Sequence, residues 1–181
     1  MKALGVRWAL VGGVAINVYV EPRTTHDLDL VIAVQGDSVA ESLIRSLRNR
    51  GYSDNPQGAL LEQTDVGRLA TARLISPVDR LFPVDLLFAS SGIEHQVVAS
   101  AQQMRLFPGV VAAVARPGHL VALKVLAGRL QDRVDVLKLL EEIEVAELNV
   151  AREALESIQA RGYGRGKDLM RDLGLLLAEL R

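Results

Sequence analysis

Cysteine is absent from the 181 residues, which excludes disulfide staples, thiolate metal sites and cysteine nucleophiles together. Aromatic residues make up only 4%, so the core has to be built from Leu, Val, Ala and Ile. No apolar run approaches the roughly 20 residues that a membrane span needs. The amino terminus also lacks the basic-then-apolar layout of a secretion signal, so the expected compartment is the cytoplasm, with no membrane partner. An excess of either charge is missing too, since 21 Lys+Arg face 22 Asp+Glu for a net charge of −1. Attachment to nucleic acid by bulk electrostatics normally shows a basic excess, and only a local basic cleft stays open to such a role. What is present is the balance of a foldable chain, 49% hydrophobic and 24% charged. The length suits one domain, or one domain with a helical appendage.

The first half alternates strand and helix signals. Arg7 to Val11 reads as a buried strand stopped by Gly12-Gly13, and Val14 to Val20 as a helix ended by Glu21-Pro22-Arg23. Asp27 to Ile32 alternates in the manner of a strand. Ser38 to Arg50 carries an apolar stripe of Val39, Leu43, Ile44 and Leu47, closed by Gly51. Asp54 to Gly67 reads as a loop or ragged strand, Leu69–Ile75 and Val84–Phe88 as strands, Ser91 to Gln102 as a short helix, and Met104 to Val114 as a hairpin broken at Pro108-Gly109. From Pro117 onward the strand signal disappears. Leu120, Leu123, Leu126 and Leu130, then Leu137 and Leu140, recur at helical spacing. Two more helices are expected near Glu147–Ala160 and Lys167–Leu180. The expected fold class is therefore α/β (α+β), with an α/β core over residues 1–115 and a helical subdomain over 116–181 packed on it.

Asp27 and Asp29 are the sharpest chemical feature. Two apart on a strand, their side chains leave the same face with Cα atoms about 7 Å apart. Carboxylates that close repel unless a proton or cation lies between them, and oxygen donors of this kind suit Mg2+. An exposed edge strand facing solvent, or a glycosyltransferase metal pair, would read the same way. Gly12-Gly13 lets backbone N–H groups approach a phosphate, although a plain tight turn has the same sequence. Arg23 and the hydroxyls of Thr24 and Thr25 are candidates to meet phosphate or orient a metal ligand.

Taken together, Leu10-Val11-Gly12-Gly13-Val14-Ala15 and Pro22-Arg23-Thr24-Thr25-His26-Asp27-Leu28-Asp29-Leu30 resemble the opening motif of the DNA polymerase β-like nucleotidyltransferase superfamily, most of all its minimal and AbiEii-type toxin enzymes. The resemblance implies a small mixed sheet flanked by helices and a third metal-binding carboxylate on a neighbouring strand. Asp85 maps onto that role; its alternatives are a turn pairing with Arg80, or replacement in the role by Asp79. Gly118 to Val136 matches a helix that closes over the nucleotide in those enzymes, with Lys124 and Asp135 as nucleotide-contacting candidates. On one continuous helix these two would fall within about 20° of each other and about 16 Å apart. Lys124, inside an apolar stretch, would open onto the cleft and reach phosphate; the alternative is a helix surface ion-pair set, Arg129 with Asp132 or Arg133.

The implied activity is Mg2+-dependent nucleotidyl transfer from an NTP to an acceptor hydroxyl. Two ions (Mg2+, or Mn2+) would be held by Asp27, Asp29 and Asp85, and the nucleotide by Gly12, Gly13, Arg23, Thr25, Lys124 and Asp135. The toxin relatives imply tRNA or another RNA as acceptor and a cognate antitoxin as partner. Antibiotic acceptors of the aminoglycoside or lincosamide type, and a non-catalytic nucleotide-binding protein of the same fold, are the alternatives.

Overall fold

The structure is a computed structural model that describes residues 5–54, 62–63 and 69–180. Eight strands among these residues form one mixed sheet. They are β1 (Arg7–Val11), β2 (Leu28–Ala33), β3 (Ser53–Asp54), β4 (Glu62–Gln63), β5 (Leu69–Ile75), β6 (Pro83–Leu87), β7 (Gln102–Phe107) and β8 (Val110–Val114). The order is β3-β5-β6-β2-β1-β8-β7, with β4 also on β5. The central strands β2 and β6 run parallel, and β1 and β5 flank them antiparallel. Most of the expected loop at 54–67 lies outside the described residues; Asp54 ends β3, and β4 shows that part of the stretch is paired strand.

Helices α1 (Gly12–Ile16), α2 (Asp37–Arg48) and α3 (Glu94–Ala99) join these strands. The first is shorter than its sequence pattern. Asn17 ends it, because its side-chain amide donates to the Arg23 carbonyl (2.7 Å) and accepts from the Arg23 N–H (3.1 Å), pinning the chain into a loop. In α2 the buried stripe is Ala40, Leu43, Ile44 and Leu47, and the expected Val39 is exposed. Helix α3 covers only half of its expected span. Gly92 at φ +76° keeps its N-terminal approach non-helical, and Gln102 already belongs to β7.

The largest departure lies in the second half. The leucine run from 120 to 140 is two helices, α4 (Pro117–Ala127) and α5 (Leu130–Glu142), broken at Gly128 in the left-handed region (φ +68°). Leu130, expected in the apolar stripe, opens α5 and is 81% exposed. Helices α6 (Val145–Ala160) and α7 (Leu169–Glu179) complete the chain. Helix α4 is buried nearly all round and packs so tightly on α6 that a Cβ at Gly118 would lie 2.3 Å from the Glu147 carbonyl oxygen. One continuous apolar cluster runs from Leu10, Ile32 and Leu86 of the sheet through Leu120 to Leu139, Leu155 and Leu173 of the helices. At roughly 1.5–3 kcal/mol per fully buried aliphatic side chain, this contact holds the helices on the sheet with Phe88 as its one buried aromatic among the described residues.

Candidate active site

Strand register builds the site. Val11 pairs with Asp29, Asp29 with Asp85, and Asp85 with Arg73, a single row across β1, β2, β6 and β5. Neighbouring strands are about 4.8 Å apart, so side chains in such a row stand side by side. Asp27, two residues before Asp29, shares its face. Asp27, Asp29 and Asp85 each offer a carboxylate oxygen, all within 4.8 Å of one another. Three hard oxygen donors converging in this way fit a divalent cation such as Mg2+.

The electrostatics show the strain of that convergence. Burial, reinforced by the charges of Asp27 and Asp85, pushes the Asp29 carboxyl up from 3.8 to about 7, against the opposing pull of Lys124 and Arg129. Asp85 is tied instead to Arg73, whose Nε donates to Oδ1 (2.6 Å) and Nη2 to Oδ2 (2.5 Å). The same Nη2 stands 3.7 Å from Asp27 Oδ2. Asp27 also accepts from the Thr25 hydroxyl (3.2 Å). Asp85 pairs with Arg73, not Arg80, and Asp79 accepts the Leu81 N–H (2.9 Å) within its own turn.

The two glycines play different parts. Gly12, at φ +65°, lies against Asp29, and a Cβ there would come within 1.7 Å of Asp29 Oδ2. Its bareness is what allows that carboxylate to fold against the turn. Gly13 is buried behind the turn, where a Cβ would meet the Thr25 hydroxyl at 2.7 Å and the Arg23 guanidinium at 3.4 Å.

The break at Gly128 folds α5 back on α4 and brings Lys124 to 3.1 Å from Asp135, not the 16 Å of a continuous helix. Lys124 Nζ also donates to Asp132 (2.7 Å). Arg129 donates to Asp132 from both its backbone N–H and its Nε, closing the N-terminus of α5. Arg23 grips Asp135 through Nε and Nη2, each at 2.7 Å. Asp132 and Asp135 are 1% and 0% exposed. Burial alone would raise both carboxyls, but the hydrogen bonds from Arg129 and Lys124 at Asp132, and from Arg23, Lys124 and Gln131 at Asp135, hold them below the usual range. Arg23 and Asp135 thus brace the loop before Asp27 to α5.

A cavity of about 420 Å³ opens on the acidic cluster. Of the residues expected at the site, Gly12, Asp27, Asp29, Asp85 and Lys124 line it, whereas Gly13, Thr25, Arg23 and Asp135 are not among its lining residues. Sequence reasoning missed Arg73, Ser90 and Ser91 on its wall. Arg73 left one signal, the sole charge in the alternating strand Leu69–Ile75. The serines are held by the buried Glu94, which accepts from the Ser91 N–H (2.7 Å) and hydroxyl (2.8 Å). The basic run after α6 is partly structural. Arg161 donates to the Gly92 carbonyl, Arg165 to that of Ser90 (3.1 Å), and Lys167 to that of Leu126 (2.7 Å), which brings Arg165 onto the cavity wall.

No protein-family model and no curated protein sequence matches the chain. Among solved structures it is similar to the antibiotic-resistance factor ANT(2'')-Ia, at 14% identity with a TM-score of 0.50, covering 88% of this chain and 87% of that one. An antigenic nucleotidyltransferase-like protein from Paracoccidioides brasiliensis is 19% identical (TM-score 0.49; 96% and 86% covered). The lincosamide antibiotic adenylyltransferase LnuA is 12% identical (TM-score 0.46; 78% and 90% covered). At these identities the likeness is one of fold, and the fold is the mixed-sheet nucleotidyltransferase type expected from the sequence. Among the described residues no helix is long and apolar enough to cross a membrane.

Proposed function

We propose that the protein is a metal-dependent nucleotidyltransferase, joining an NMP from an NTP to an acceptor hydroxyl with release of pyrophosphate. The observation that carries this reading is the convergence of Asp27, Asp29 and Asp85 within 4.8 Å on the wall of a cavity also lined by Lys124, Arg129 and Arg165. Asp27 and Asp29 would hold Mg2+, with Asp85 completing the donor set. Bound there, the ion supplies charge neutralisation at the triphosphate and a lowered pKa for the acceptor hydroxyl. The acceptor oxygen attacks the α-phosphorus as the bond to pyrophosphate breaks, and its proton passes to a carboxylate oxygen of Asp85. Gly12 permits close approach of the phosphates to the turn, and the cationic wall meets the charge that spreads over their oxygens in the transition state. Arg23, Thr25, Gly13 and Asp135 act as positioning residues behind the turn.

For the acceptor, the lining charges favour an RNA 3′ end, in keeping with the motif's resemblance to AbiEii-type toxins and their tRNA targets and antitoxin partners. Among the described residues the acidic cluster supplies the only carboxylates on the cavity wall, against Arg73, Lys124, Arg129 and Arg165. A polycationic aminoglycoside would find no further counter-charge there. The fold likeness to an antibiotic-resistance factor favours a small antibiotic acceptor as the second reading. The test is Mg2+-dependent transfer of label from α-³²P NTPs, offered in parallel to tRNA and to aminoglycosides and lincosamides. Equal incorporation by wild type and the Asp27→Asn/Asp29→Asn variant would remove the assignment, and label on an antibiotic alone would reverse the choice of acceptor.

A further inference from the structure

Arg73 stands against two of the three carboxylates that would hold a metal ion. It lies directly opposite Asp85 across β5 and β6, a position held by main-chain register and not by a flexible loop. Its guanidinium takes one lone pair on each oxygen of Asp85, at 2.6 and 2.5 Å, and its Nη2 reaches toward Asp27 at 3.7 Å. It therefore stands between the two carboxylates that a bridging cation would have to share. A carboxylate has about four lone-pair directions, and a forked guanidinium uses the two that converge. Asp85 is left with only its outward pair, while Asp29, its row neighbour, has no arginine hydrogen bond among the described residues. The charge pattern has the same form, with three acids on one face and a single guanidinium inserted among them.

We infer that Arg73 is a resident counter-cation, an alternative occupant of Asp85 that a divalent ion must displace before all three carboxylates can serve it. The inference rests on the metal-centre reading above and adds an internal competitor to it. In the metal-free chain Arg73 neutralises Asp85 and keeps the acidic cluster from splaying. On loading, it gives up Asp85 and remains on the cavity wall, where the triphosphate is the next anion within its reach.

The competition predicts a gain from removing a charge-assisted bond, whereas a purely structural Arg73 predicts a loss. Mn2+ titrations of the full chain, read by the EPR signal of the free ion, should show Arg73→Gln binding at least about fivefold more tightly than wild type. Arg73→Lys, which keeps the charge but not the fork, should fall between them. In the wild type itself, the Arg73 Nε–H resonance, assigned by its loss in Arg73→Lys, should shift on adding Mg2+ as its bond to Asp85 opens. This readout does not depend on whether the glutamine variant folds. Equal or weaker Mn2+ binding by Arg73→Gln, or an unmoved Nε–H signal at saturating Mg2+, overturns the inference while leaving the metal centre standing. Absence of Mn2+ binding in every variant overturns both.

Discussion

In the metal-free protein the folded chain keeps a proton on Asp29 up to about pH 7, whereas an unfolded chain releases it near 3.8. Between those values the folded state binds more protons, so this group's contribution to stability is full below pH 4. It declines as pH rises and is lost above about 7. A span of about three pH units at about 1.36 kcal/mol each sets the loss at up to about 4 kcal/mol. Replacing the carboxyl by an amide in Asp29→Asn removes the titration. Urea denaturation of both proteins in EDTA, from pH 4 to pH 8, should therefore show the variant gaining stability on wild type by several kcal/mol across that range. Added Mg2+ at pH 8 should restore wild type and leave the variant unmoved, because the ion takes the place of the proton. A wild-type-to-variant difference that stays flat from pH 4 to 8 would refute the view that burial, reinforced by Asp27 and Asp85, raises the Asp29 carboxyl.

The opposite slope is expected of His119, whose imidazole is lowered from 6.5 to about 4, by burial first and then by Arg116. Its contribution is intact above pH 6.5 and is lost as pH falls toward 4, so His119→Gln should flatten the acid limb by up to about 3 kcal/mol in the same urea series. Gly12→Ala should abolish detectable Mn2+ binding by driving its methyl into Asp29, while Gly174→Ala, in open space on α7, should stabilise by roughly 0.5–1 kcal/mol. Calorimetry and Mn2+ titration on the pair separate the site effect from a general one. Lys124→Met withdraws one cation from two buried carboxylates and should cost about 3–5 kcal/mol by chemical denaturation. A cost under about 1 kcal/mol would mean that Arg23 and Arg129 suffice alone.

Local information in the chain carried much of this protein. The alternation around Asp27 and Asp29, the glycine turn before them and the lone acid in Val84–Phe88 could be read directly, because strand periodicity and turn chemistry act over a few residues. The break at Gly128 was hidden. The leucine spacing on either side continues in phase, and one glycine gives a weaker signal than six leucines. With the break came the contact of Lys124 with Asp132 and Asp135, eight and eleven residues away. Arg73 was hidden for a different reason. Its partner Asp85 is chosen by register between strands, which depends on how whole strands pack and not on any spacing along the chain. The sequence by itself determined which side chains could take part in the chemistry. Tertiary structure alone decided which of them face one another, since burial and strand pairing bring together charges that water would otherwise keep apart.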